Sequence, residues 1–110
     1  MAGSDIYTGS LDLLILKSLT WGPRHGYAVG QWIRSSTREG LSVQEGALYP
    51  ALHRLERKGF VDEEWGITDT NREAKFYKLT AEGRRQLRGE VARWKAHVEL
   101  MSAALSAGKL

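Results

Sequence analysis

A chain of 110 residues with 42% apolar content has room for one domain with a core, and is too apolar for a disordered tail. It has no cysteine, which excludes disulfides and thiolate metal sites and fits a reducing compartment. The net charge of +3 and pI near 9.4 favour a polyanionic partner only mildly, so the placement of the charges carries more than their sum.

No apolar run reaches the ~20 residues that cross a bilayer. The start of the chain lacks a basic stretch followed by a signal-peptide core, so a cytoplasmic protein without a membrane partner is expected. Residues 1–4 read as a loose start. A core shared with a second copy would help so short a chain.

The spacing predicts a first helix over residues 10–19, with Leu11, Leu14, Ile15 and Leu19 on one stripe and Leu13 and Leu16 widening it. Asp12 then falls in its first turn, where the helix dipole favours an acid. A helix apolar on most sides needs cover on most sides: one cover is its own domain, the other a partner subunit. Trp21, Gly22 and Pro23 break it. A second helix is expected over residues 25–38, with Tyr27, Trp32 and Ile33 as core candidates and Gly40 past its end.

Ser42 and Glu45 form a capping-box pattern, which starts a third helix at residue 42. Leu48, Leu52 and Leu55 recur at helical spacing and face inward, and Gly59 suits the position after the helix. Pro50 removes one backbone donor and crowds the carbonyl of Gly46, so the helix bends near Gly46 or begins in earnest there. Residues 60–65 read as a strand, residues 66–73 as a polar loop and residues 74–79 as a second strand, together a β-hairpin. Thr80 is a plausible N-cap and Glu82 supports the start of a last helix over residues 81–107, roughly 40 Å long. Along it Leu87, Val91, Trp94, Val98, Met101 and Leu105 alternate four and three apart, as in a coiled-coil seam.

Three helices, a hairpin and a long helix spell a winged helix-turn-helix: a mainly α (α+β) fold with a two-stranded wing and a long C-terminal dimerisation helix. The division expected is residues 1–80 for the DNA-binding domain and residues 81–110 for the dimerisation helix. In such folds the second helix of the pair enters the major groove of double-stranded DNA. With the leucines inward, Gln44, Tyr49, His53, Arg54 and Arg57 lie on other faces. Gln suits adenine, Arg suits guanine and Tyr suits a phosphate, while Gly46 and Ala47 let the backbone approach. A plain solvated helix surface is the alternative. On the hairpin, Asn71, Arg72, Lys75 and Lys78 suit phosphates, although Asp69 and Glu73 weaken the pattern. Arg84, Arg85 and Arg88 read as a solvated face.

Enzymatic chemistry finds no support. The histidines are His25, His53 and His97, in no H-E-x-x-H pattern, and no phosphate-binding G-x-x-x-x-G-K-[S/T] loop is present. His53 and Glu56 stand three apart on a helix, but two ligands without a third do not make a metal site, so neither metal nor cofactor is expected. The rival to DNA binding is a winged helix that binds protein.

The stretches His25-Gly26-Tyr27-Ala28, residues 46–56 (GALYPALHRLE) and residues 75–84 (KFYKLTAEGR) resemble the PadR family of transcription regulators in order and spacing, over about residues 10–105. The resemblance implies a homodimeric winged-helix repressor on a palindromic operator, with the last helix of one subunit against the first helix of the other. Leu11, Ile15, Leu87, Val91, Trp94, Val98, Met101 and Leu105 are the interface residues on that reading. The short tail resembles the smaller subfamily. By position, Tyr49 and the surface around Gln44, His53 and Arg54 meet DNA, and the wing contributes Arg72 and Lys75. Wings in the family often carry consecutive basic residues before the aromatic pair. Here Glu73 and Ala74 precede Lys75, so the wing departs from the pattern. Some small PadR-like regulators place a tryptophan where Trp94 stands and stack it on flat aromatic compounds. Trp94 therefore has two readings, dimer packing and a surface for a small aromatic inducer.

Overall fold

The computed structural model describes residues 8–108. The expected loose start at residues 1–4 lies outside them. Four helices and three strands follow in the order α1 (Thr8–Ser18), β1 (Arg24–His25), α2 (Gly26–Ser36), α3 (Glu45–Arg57), β2 (Val61–Ile67), β3 (Glu73–Leu79) and α4 (Ala81–Ser106). This is the winged-helix arrangement. Among the described residues no helix is long and apolar enough to cross a membrane.

The core is built from the apolar stripes. Leu11, Ile15, Leu16 and Leu19 of the first segment meet Val29 and Ile33 of α2, Leu48, Ala51, Leu52 and Leu55 of α3, Val61 and Tyr77 of the sheet, and Leu87 of α4. Leu11, Ile15 and Leu87, expected at a subunit interface, are buried within the core of their own chain. Tyr27, expected in the core, is 68% exposed, because it falls in the first turn of α2 on the side away from Val29 and Ile33. In addition, α1 begins at Thr8, which places Asp12 in the second turn instead of the first.

Helix ends explain the remaining shifts. The imidazole of His25 caps α2, its Nδ1 accepting from the Ala28 amide at 3.3 Å. No capping box forms at Ser42. Residues 41–44 lie outside any helix, and α3 starts after an extended Gln44 whose side chain makes no cap bond. Pro50 is then the sixth residue of α3 and its missing donor leaves only the carbonyl of Gly46 without a helical partner, at an exposed position that water reaches. At the other end Gly59 takes a left-handed φ of 80°, and the Phe60 amide donates to Leu55 at 3.0 Å, closing α3 in a Schellman turn.

Thr80 ties this turn to α4. Its hydroxyl donates to the Gly59 carbonyl at 2.7 Å and accepts from the Gly83 amide at 2.9 Å, while its own amide donates to the Phe60 carbonyl at 3.1 Å. Gly83 permits the close approach, since a Cβ there would run into the Phe60 carbonyl oxygen.

The sheet has three antiparallel strands in the order β1-β3-β2, not two. Arg24 and His25 pair with Tyr77 and Phe76. A two-residue strand has too little alternation to announce itself in sequence. The wing runs from Val61↔Leu79 to Ile67↔Glu73, so the loop is only residues 68–72.

Candidate nucleic-acid interface

Opposite its buried leucines, α3 presents Gly46, Tyr49, Pro50, His53 and Arg57, with Gln44 and Ala47 exposed at its start. The aromatic ring of Tyr49 lies on the backbone of Gly26, where a Cβ would stand 2.6 Å from Cε1 and 2.7 Å from the phenol oxygen. The Tyr49 of one family-like stretch is thus seated by the glycine of another. Between α2 and α3 runs an open groove of about 480 Å³ whose lining includes Tyr27, Gln31, Arg34, Gln44 and Tyr49.

The basic groups divide by partner. Arg57 and Arg72 are exposed and have no ion-pair partner among the described residues. Arg54 does not share this freedom: its guanidinium is turned to α1, where Nη2 donates to Asp12 Oδ1 at 2.6 Å. Arg54, expected to read a base, thus has its guanidinium engaged by Asp12 in the chain without DNA. Lys75 is also engaged, its Nζ 3.0 Å from Glu63 Oε1 and 5.7 Å from the centre of the Trp65 ring. Of the Arg84, Arg85 and Arg88 cluster, all exposed, Arg85 pairs with Glu82 on its own helix.

At the junction of α3 with the wing, His53, Glu56 and Glu63 come together, one donor atom from each within 4.8 Å of the others. The Glu63 hydrogen bond from Lys75 holds its carboxyl below the usual glutamate range. Burial pushes the Tyr77 phenol up, and the Glu63 charge adds to the effect. Sequence reasoning found the helical pair and missed Glu63, which sits seven residues beyond Glu56 on another element. It also missed Tyr27 in the groove, and Trp65 and Ile67, which are exposed on the wing. Trp65 and Ile67 share a face of β2 with the buried Val61, so alternation alone would have set them in the core.

The sequence profile described as the Transcriptional regulator PadR-like family matches residues 15–89, most of the chain and the whole of the helix–wing unit. The chain belongs to this family. An uncharacterized protein of Lysinibacillus sphaericus is 32% identical to it over 94 residues, spanning 86% of each chain. Among solved structures, a transcriptional regulator from Clostridium thermocellum superposes with a TM-score of 0.81 at 29% identity, covering 91% of this chain and 97% of that one. A PadR family transcriptional regulator from Eggerthella lenta does so with a TM-score of 0.76 at 31% identity, covering 91% and 85%. This PadR-like chain is accordingly a transcriptional regulator with the winged-helix DNA-binding fold.

The PadR-like chain carries a second surface on α4. Val91 is half-buried against the core, whereas Trp94, Val98, Met101 and Leu105 are exposed along the same stripe, with Leu100 beside it. From residue 92 onward every described residue of α4 is exposed. Trp94, Leu13, Arg93 and His97 border a shallow hollow of about 320 Å³ where α4 passes α1.

Proposed function

We propose that the protein is a repressor that binds a palindromic operator in double-stranded DNA as a homodimer. The observation that carries this reading is the exposed face of α3. It offers small residues for backbone approach, hydrogen-bonding side chains at Gln44, Tyr49 and His53, and an unengaged cation at Arg57, while the wing loop contributes an exposed Arg72. Such a helix reads base edges while neighbouring cations hold phosphates. On this reading residues 1–80 form the DNA-binding unit and residues 81–110 the dimerisation helix.

The exposed stripe of Trp94, Val98, Met101 and Leu105 supports the dimer. Four large apolar side chains in a row on one helix leave water only when a second apolar surface covers them. Two copies joined this way would set two α3 helices for successive major grooves, about 34 Å apart.

Gel-shift titration with the DNA upstream of the gene tests the reading. Binding should weaken steeply with salt, by a log–log slope of about −0.9 for each phosphate contacted. Association that ignores salt, or occurs only with protein, would favour a winged-helix module that binds protein.

The hollow beside Trp94 favours one addition, a flat aromatic inducer stacked on its indole. Such a ligand would release DNA only by binding one arrangement of the two subunits better than the other. Quenching of fluorescence by planar dyes, lost in Trp94→Ala, is the expected result. Quenching that persists in that variant assigns Trp94 to dimer packing alone.

A further inference from the structure

We infer that His53, Glu56 and Glu63 form a site for a divalent transition-metal ion of the zinc class, bridging α3 and the wing. The three donors come from two elements. His53 and Glu56 stand one helical turn apart on α3, and Glu63 reaches them from β2. Donors on one zinc ion stand about 3.3 Å from each other at ordinary bond lengths. Closing from within 4.8 Å to that separation needs only side-chain rotation, and His53 is exposed and free to turn.

Three features of the cluster point to a cation. The first is Glu63 Oε2, which is sealed from solvent without a hydrogen-bond partner, an expensive state for a carboxylate oxygen. The second is the charge balance. Lys75 matches Glu63 through Oε1, but Glu56 has no ion-pair partner among the described residues, so two neighbouring carboxylates share one cation. The third is the donor set. Oxygen alone would suit magnesium or calcium, and an imidazole shifts preference to zinc, nickel or copper. Three protein ligands leave a fourth position for water.

Facing the site from β3 are Lys75 and Tyr77. The Lys75 ammonium opposes a metal by charge, yet it holds the oxygen that the metal does not need. A bound ion would fasten the base of the wing to the recognition helix and withdraw His53 from any contact with DNA.

The test uses the full chain without DNA, so its outcome is separate from that of the operator experiment. Zinc is titrated into the protein by calorimetry, and thermal unfolding is followed with zinc and with magnesium at equal concentration. The expected result is one zinc per chain and a rise in Tm that magnesium does not reproduce. His53→Gln and Glu56→Gln each weaken zinc binding about tenfold or more while leaving the metal-free Tm close to that of the parent. No zinc-dependent rise in Tm, or a rise and a stoichiometry that survive His53→Gln, overturns the proposal.

Discussion

Arg54 grips Asp12 at two points, with Nη2 2.6 Å from Oδ1 and Nε 3.4 Å from Oδ2, and so fastens α3 to α1. Both side chains are partly buried, 30% and 19% exposed, so solvent screens the pair less than a surface bridge. Replacing Arg54 by alanine leaves the Asp12 carboxylate without its partner in that setting. The expected loss is about 1.5–3 kcal/mol of folding stability, read from urea denaturation. Affinity for DNA, measured where the variant is fully folded, should change little. A sequence-specific loss of binding in a stable Arg54→Ala protein would place the residue in the DNA interface.

Two glycine substitutions separate close packing inside the fold from close approach to DNA. Nothing lies within 4 Å of a Cβ placed on Gly46, so Gly46→Ala should stabilise the free protein by up to about 1 kcal/mol through helix propensity. The same methyl group faces the operator in the proposed complex, and gel shifts should show weaker binding. An unchanged affinity would mean that this turn of α3 stands away from the groove.

Gly83→Ala acts on the fold alone. Its Cβ would press on the Phe60 carbonyl oxygen, which is backbone and cannot swing aside. The start of α4 must move, taking the Thr80 bonds to Gly59 and Phe60 with it. A cost of about 1–3 kcal/mol is expected, with a lowered Tm. A Tm equal to the parent's would show that α4 shifts freely at this point.

On α4, Val98→Asp and Met101→Asp place charges on the exposed stripe, far from the core. A single chain should tolerate both, keeping its helical circular dichroism. Sedimentation is expected to find a dimer for the parent and a monomer for the double variant, with loss of DNA binding. A parent that sediments as a single subunit at micromolar concentration, or a variant that stays dimeric, would place the contact elsewhere.

The pair Glu63 and Tyr77 gives the stability a pH signature at both ends. Lys75 holds the Glu63 pKa below its ordinary 4.5, so the folded form prefers the carboxylate. That contribution is present above pH 4.5 and is lost as pH falls through the lower folded value. Tyr77 is the reverse case: burial raises its pKa above 10.0, so its contribution is present below pH 10 and lost as pH rises further. Denaturation across pH should show both losses, the acid one reduced in Glu63→Gln and the alkaline one reduced in Tyr77→Phe. Identical profiles for parent and variants would mean that neither group carries its charge preference into folding.

Local signals in the sequence determined most of the elements. The leucines of α1 and α3, the glycine after α3 and the threonine before α4 act within one or two helical turns, and such interactions depend on spacing along the chain. The stretches around His25, Leu48 and Phe76 were enough to suggest the family. The capping-box pattern at Ser42 does not start the helix: residues 41–44 stay outside it and α3 begins after an extended Gln44.

Only the tertiary structure decided which groups meet. Asp12 and Arg54 lie 42 positions apart, and the angle at which α1 crosses α3 makes them partners. Glu63 joins His53 and Glu56 because β2 turns back along α3, which no helical period encodes. Burial divided the apolar seam as well: Leu87 is covered by its own chain while Trp94 and Leu105 on the same stripe are not, since α4 outruns the small domain beneath it. Periodicity names the face of a helix, and the packing of other elements settles what that face touches.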